Sequence, residues 1–345
     1  MMRAPRFRYH AAQSVPDAVA ALAGEERAML LAGGTDLVPN MKRRQQRPDL
    51  VIGIRRLAEL RRIGNGSGLS IGACVTLAEV AAHPLIAAKY AALAKAAGQV
   101  ATVHLRAMGT LGGNLCLDTR CNYYDQNYEW RRAINFCMKA PLGTDGHACA
   151  SPDGTGICWV ATSSPRCWAV SSTDCAPALI ALGADVVLAG PGGERRIPLE
   201  QLYRSDGMAY LTKGRDEVLV RVELEDAKTP RRADAKFGST YWKLRRRGSF
   251  DFPVLGVAAA LGFHKDGTVE SARVVLGAVE SCPVLVPEAA SLVGRKLSDE
   301  VVREFAASCA RYARPLDNTD FDLAWRKKVV KSYVAGALTE LRDRA

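Results

Sequence analysis

The sequence predicts an α+β protein of more than one domain, and three observations lead there. Its 345 residues, 48% of them hydrophobic, exceed what a single core normally fills. The amino-terminal part alternates short apolar runs with alanine-rich helical stretches, whereas the pattern beyond Ala184 is strand-rich. A breaker at Lys228-Thr229-Pro230 then precedes a segment that opens with strands and ends in helices. The expected division is residues 1–228, themselves split at about residue 60, and residues 229–345.

Taken in order, Ser14 is placed to cap a helix opened by Pro16 and Asp17, and Ala28 to Leu31 reads as a short buried strand. Leu50 to Ile54 is the next strand. After the Gly64-Asn65-Gly66-Ser67-Gly68 turn, Leu69 to Val75 is another, and Leu77 to Ala97 is helical with an interruption at Pro84. Val186 to Leu188 and Ile197 flank a Pro191-Gly192-Gly193 turn, and Val218 to Leu224 is a further strand. Strands are expected at Phe237 to Leu244, Val254 to Phe263 and around Val274 to Leu276, followed by three helices. In the last, Trp325, Val329, Tyr333, Ala337 and Leu341 recur at helical spacing and predict a core-facing stripe.

No run approaches the roughly 20 apolar residues of a membrane helix, and the first residues lack the apolar stretch of a signal peptide, so a cytoplasmic protein is expected. The formal charge of +11 is dispersed in pairs such as Arg43-Arg44 and Arg61-Arg62. Without an aromatic-interleaved stripe this does not predict nucleic-acid binding; it suits an acidic protein or anionic substrate.

Two glycine pairs stand out. Leu31-Ala32-Gly33-Gly34-Thr35-Asp36 follows a strand and precedes a helix, where backbone N–H groups can turn toward a phosphate. Alone it reads more simply as a tight turn. Thr110-Leu111-Gly112-Gly113-Asn114 repeats the design and could form the other side of a diphosphate site; no G-x-G-x-x-G fingerprint supports a Rossmann site.

Ala32-Gly33-Gly34-Thr35-Asp36-Leu37 together with Gly109 to Leu115 resembles the flavin subunits of the xanthine dehydrogenase and carbon monoxide dehydrogenase family. Asp174-Cys175-Ala176-Pro177-Ala178-Leu179, Tyr241 to Arg245 and Asp251-Phe252-Pro253-Val254 extend the resemblance along nearly the whole chain. It implies a vanillyl-alcohol-oxidase (PCMH) type FAD domain of two α+β subdomains, closed by a smaller α+β domain like that of carbon monoxide dehydrogenase flavoprotein. On that likeness Ala32, Gly33, Gly34, Thr35, Asp36 and Leu37 would cradle the pyrophosphate with Thr110, Gly112, Gly113 and Asn114. Asp174 would meet the ribityl or adenosine side, and Lys243 would lie near the isoalloxazine, where a cation favours the reduced anionic ring. Arg106 and His104 are further candidates to reach the flavin, although His104 alone reads more simply as a structural histidine.

Seven of the ten cysteines lie between Cys116 and Cys175, within a stretch of 116–171 that has no sustained helix or strand period. Thiolates in that density bind zinc or an iron–sulfur cluster, and no C-x-x-C pair supports a zinc ribbon. Arg120 to Gln126, Phe136 to Lys139 and Cys158 to Cys167 resemble one branch of the family, the β subunits of 4-hydroxybenzoyl-CoA reductases, whose inserted loop holds a [4Fe–4S] cluster. That resemblance implies Cys121, Cys137, Cys158 and Cys167 as ligands. Pro141 to Gly156 departs from it as extra length, and spacing alone leaves Cys149 as an alternative ligand. Cys74, Cys116, Cys175, Cys282 and Cys309 are expected to be buried thiols.

The implied function is an electron relay between cluster and FAD, with no catalytic residue of its own. The implied partners are a molybdopterin-binding large subunit and a [2Fe–2S] small subunit in a dimer of heterotrimers, supplied by a ferredoxin-like donor. The complex would reduce 4-hydroxybenzoyl-CoA to benzoyl-CoA. Two alternatives are a hydroxylase flavin subunit sending electrons outward, and a zinc-stiffened assembly module without flavin.

Overall fold

The computed structural model describes residues 3–65, 68–140, 156–225 and 236–345. The breaker at Lys228-Thr229-Pro230 and Cys149 lie outside the described residues.

Strand β1 (Arg8–Ala11) leads into helix α1 (Val15–Ala23), whose Ser14 cap accepts from the Asp17 N–H and whose first turn holds Pro16. Then follow β2 (Ala28–Leu31), α2 (Leu37–Lys42) and β3 (Leu50–Gly53). The three strands make a parallel sheet in the order β1-β3-β2, and α1 buries Val15, Ala18, Val19 and Leu22 over it. The sequence reading has no β1, because Arg-Tyr-His-Ala is mostly exposed and lacks the apolar alternation that marks a strand.

β4 (Ile63–Asn65) and β5 (Gly68–Gly72) begin a second, antiparallel sheet. Between its halves run α3 (Leu77–Ala82), α4 (Pro84–Lys89), α5 (Ala91–Gln99), α6 (Val103–Met108) and α7 (Leu111–Leu115). The helical run is thus cut twice, at Pro84 and again at Tyr90. After the cysteine-rich region, with its single-turn α8 (Tyr128–Ala133), come α9 (Cys175–Ala181), β6 (Asp185–Gly190), β7 (Gly193–Pro198) and β8 (Val218–Glu225). The sheet order is β4-β5-β8-β6-β7. Leu93, Leu111, Leu115 and Leu179 cover one face of it, and residues of α1 and β3 pack on the other, which is why β6 is apolar from Val186 to Ala189.

The carboxy-terminal part is a sheet of order β12-β11-β10-β9, from β9 (Lys236–Leu244), β10 (Leu255–Phe263), β11 (Val269–Gly277) and β12 (Val284–Leu285). α10 (Asp299–Cys309) and α11 (Leu323–Arg342) pack on one side. On the other, Tyr241, Ala258, Ala260 and Val275 join the core of the middle sheet. The stripe expected on α11 is displaced: Trp325 is 42% exposed and packs at a tilt against Phe321, while Val330, Val334, Ala337, Leu338 and Leu341 are buried. A row spaced strictly by four drifts around a helix of 3.6 residues per turn, so its early members leave the core face. Of the five cysteines expected as buried thiols, Cys116 and Cys282 are only half-buried. Among the described residues, no helix is long and apolar enough to cross a membrane.

Candidate functional site

A cavity of about 810 Å³ opens where the turn after β2 meets the turn before α7. Gly34 makes the first turn with φ of +72°, a left-handed conformation that favours glycine. Gly33 is glycine for another reason. A Cβ there would stand 2.1 Å from the carbonyl oxygen of Met108, so the two glycine motifs touch backbone to backbone. Gly112 is likewise closed in, its Cβ position 2.7 Å from the Ala73 side chain. Gly113 faces outward, and a Cβ there would approach only the Thr110 hydroxyl, at 3.0 Å.

The hydrogen bonds divide the labour of the motifs. In the second, the Leu111 and Gly112 N–H groups donate to Val75 and Ala73, and Thr110 caps α7 by accepting from Gly113. In the first, the N–H groups of Gly33, Gly34, Thr35 and Asp36 donate to no group among the described residues, and these four residues line the cavity. Successive unengaged backbone donors in a concave turn suit a diphosphate, so the residues present fit FAD.

Ala32, Gly33, Gly34, Thr35, Asp36, Leu37, Thr110, Gly112, Gly113, Asn114 and Asp174 all line this cavity. Three other expected residues do not. Arg106 donates to the Val100 carbonyl at 2.7 Å, His104 is exposed on α6, and the Lys243 side chain is 0% exposed beside Asp174. The Lys243 ammonium lies 2.9 Å from Asp174 Oδ2 and 3.1 Å from the Gln99 carbonyl, and the Tyr241 hydroxyl donates to Asp174 Oδ1 at 2.8 Å. Burial raises the Asp174 pKa, and Lys243 and Tyr241 oppose that rise. This trio joins β9 to α9 at the cavity wall. Asn114 accepts from Thr173 Oγ1 at 2.8 Å and the Cys175 N–H at 3.0 Å, fixing the start of α9.

Sequence reasoning missed Arg120. Buried, it pairs with Asp36 beside the first motif and with Asp125 in the cysteine-rich region, and lies 4.7 Å from the Phe252 ring of the carboxy-terminal domain. One arginine beside Cys121, in a stretch without periodicity, carries no signal of these three contacts.

Cys121, Cys137, Cys158 and Cys167 are all buried. Cys121, Cys137 and Cys167 share one apolar cluster with Tyr124 and Ala169, and Cys121 also lines the cavity between the two glycine motifs. Burial pushes the Cys121 thiol up to about 12, and negative charge on Cys137 and Cys167 adds to the effect. Burial raises Cys167 to about 11, with Cys158 and Cys137 contributing in the same sense and Lys139 opposing. Cys121, Cys137 and Cys167 are therefore within electrostatic reach of one another, and Cys158 is within reach of Cys167. Among the described residues, no set of three or more His, Cys, Asp or Glu is gathered closely enough to hold a single metal ion. Zinc would need the tight tetrahedron set by Zn–S bonds of about 2.3 Å. A cubane places irons and sulfides between its ligands and takes a wider ring.

Residues 5–224 match the family described as the FAD binding domain in molybdopterin dehydrogenase, and residues 239–341 match the carbon monoxide dehydrogenase flavoprotein C-terminal domain. The chain is 30% identical to the aldehyde oxidoreductase FAD-binding subunit of Escherichia coli, over 96% of this chain and 98% of that one. It is 28% identical to the carbon monoxide dehydrogenase medium chain of Hydrogenophaga pseudoflava, over 97% and 96% of the two chains. A solved carbon monoxide dehydrogenase structure from the same organism superposes with a TM-score of 0.75 at 27% identity, covering 99% of each chain. With its α+β fold, flavin-sized cavity and both domains matched, the chain belongs to the FAD-binding medium subunits of the molybdenum hydroxylase family and is an oxidoreductase subunit.

Proposed function

We propose that this chain relays electrons between a [4Fe–4S] cluster on Cys121, Cys137, Cys158 and Cys167 and an FAD whose pyrophosphate rests on the N–H groups of Gly33, Gly34, Thr35 and Asp36. The observation that carries the reading is Cys121, which is buried in one cluster with Cys137 and Cys167 and also opens on the cavity lined by the glycine motifs. When bound, the cluster exchanges electrons singly and FAD stores two. The chain's own residues hold and insulate. Tyr124, Phe136 and Ala169 keep water from the sulfurs, and Arg120 ties the cysteine-rich region to the flavin turn through Asp125 and Asp36. Asp174, Lys243 and Tyr241 fasten the carboxy-terminal domain to the cavity wall.

The partners on this reading are a molybdopterin-binding subunit and a [2Fe–2S] subunit, with a low-potential ferredoxin-like donor, and the reaction is reduction of 4-hydroxybenzoyl-CoA to benzoyl-CoA. Removing an aromatic hydroxyl demands low-potential electrons, and an additional cluster beside FAD provides an entry for them. A second reading is favoured by the relatives' names: those named as carbon monoxide, glyceraldehyde and nicotinate dehydrogenases oxidise their substrates, and a subunit like theirs sends electrons outward.

Two measurements test the proposal. Flavin, iron, sulfide and zinc analysis of the purified chain should give about one FAD with about four irons and four sulfides. Zinc without iron would overturn the cluster. The assembled complex, given reduced donor and 4-hydroxybenzoyl-CoA, should yield benzoyl-CoA. No product alongside brisk oxidation of an aldehyde would establish the second reading.

A further inference from the structure

Three buried cations surround the cysteine region, and two have carboxylates. Lys139 lies 2.6 Å from Asp118 Oδ1, and Arg120 pairs with Asp36 and Asp125. Arg131, on α8, differs. It is 0% exposed, among the largest fully buried side chains, and only one of its three nitrogens is engaged, Nη2 donating to the Arg43 carbonyl at 2.8 Å. Its Nε and Nη1 are buried without a hydrogen-bond partner among the described residues. Its Cζ lies 5.9 Å from the centre of the Tyr124 ring, and among the described residues the groups that bear most on its charge are Tyr124, Cys137, Arg47 and Tyr128, with no carboxylate among them. The chain holds it close to Cys137, since the Phe136 N–H donates to the Arg131 carbonyl at 2.6 Å.

A guanidinium does not give up its proton inside a protein. Buried without a counter-charge it is strongly destabilising, and two orphaned donors add to that cost. A cluster bound by four thiolates is a net anion with sulfur acceptors, and it would stand at Cys137. Resting on the cluster reading above, we propose that Arg131 is the charge partner of the iron–sulfur cluster: its free N–H groups point to the cluster sulfurs, and its charge raises the cluster's midpoint potential. Positive charge and hydrogen bonds near cluster sulfurs favour the reduced state. Arg131 is thus a positioning and tuning residue, and not a ligand.

The test uses the full chain carrying FAD and cluster, with Arg131→Gln removing the charge and Arg131→Lys keeping it. Arg131→Gln should retain iron yet lower the reduced-to-oxidised ratio at fixed ambient potential by tenfold or more, which is about 59 mV for one electron. Arg131→Lys should recover most of that shift. Equal potentials in all three proteins would overturn the proposal, as would equal shifts in both variants, which would mark a packing effect. Because Arg131→Gln can fail to fold, the wild type supplies a second measurement. Labelled with guanidino-¹⁵N arginine and reduced, it should show ¹⁵N hyperfine coupling at the cluster by pulsed EPR, and no coupling overturns the proposal. Wild-type protein without iron and sulfide instead overturns the cluster reading and this inference with it, a failure that iron analysis alone distinguishes.

Discussion

Gly112 and Gly113 are adjacent on one short helix, yet the structure assigns them opposite reasons for being glycine. At Gly113 an added Cβ meets only the Thr110 hydroxyl, at 3.0 Å, and a longer side chain projects into the flavin cavity. Gly113→Leu also replaces a poor helix former by a good one, worth up to about 0.8 kcal/mol in favour of the folded apoprotein. At Gly112 the Cβ would lie 2.7 Å from the Ala73 Cβ and 3.0 Å from the Ala73 carbonyl oxygen, neither of which can swing away. Overpacking of that kind costs about 1–3 kcal/mol. Gly113→Leu should therefore purify colourless of flavin with an apoprotein melting temperature at or above wild type, and Gly112→Leu should lose stability first. The assay is flavin absorbance per chain, then thermal melts of apoprotein with and without added FAD. Free FAD at 100 times its Kd stabilises a competent protein by about 2.7 kcal/mol, a rise of several degrees that Gly113→Leu should lack. Stoichiometric flavin in Gly113→Leu would refute the placement of the cofactor.

Other consequences are as direct. Cys121→Ser, Cys137→Ser, Cys158→Ser and Cys167→Ser should each lose or destabilise bound iron while Cys149→Ser keeps it, because serine is a poor soft ligand; iron analysis of the five variants decides. Lys243→Met leaves the Asp174 carboxylate buried without its cation and should cost about 3–5 kcal/mol in urea unfolding, whereas adding Asp174→Leu should restore part of the loss. Glu340 is partly desolvated, which alone would raise its pKa, but hydrogen bonds from Lys95, Trp242 and Thr240 outweigh that and hold it below the usual carboxylate value. A depressed folded pKa means this stabilisation is present above the unfolded value near 4.5 and is lost as pH falls through the folded one. Glu340→Gln should therefore flatten the acid limb of the stability curve, and an unchanged limb would contradict the assignment.

Most strands were legible because their burial is written as apolar runs. Ala28–Leu31, Asp185–Gly190 and Leu255–Phe263 follow that rule, and Pro84 and the Ser14 cap mark helix ends by local chemistry. β1 escaped because an exposed edge strand needs no apolar pattern, and the α11 stripe slipped because a four-residue repeat only approximates the helical period. The glycine motifs were legible as places, since glycine pairs after strands mark turns. Their division of labour was not. That Gly33 yields to the Met108 backbone, while the N–H groups beside it remain unengaged, depends on contacts across some 75 residues of sequence.

The cysteine-rich region shows where sequence reasoning stops for a physical reason. Sulfur count and clustering suggest metal chemistry, but a metal site also needs its charge balanced, and the balancing groups have no fixed spacing from the ligands. Arg131 lies six positions before Cys137, Lys139 two after it, and Arg120 just before Cys121, all among residues with no regular period. In the fold their fates separate. Asp118 answers Lys139, and Asp36 and Asp125 answer Arg120, so those two cations build the region's scaffold whatever it binds. Arg131 has no such answer among the described residues, and on the cluster reading its counter-charge would be the cluster itself. On the proposed reading, ligand variants and Arg131 variants thus probe different properties of one centre, the first reporting whether iron is held and the second at what potential it would work.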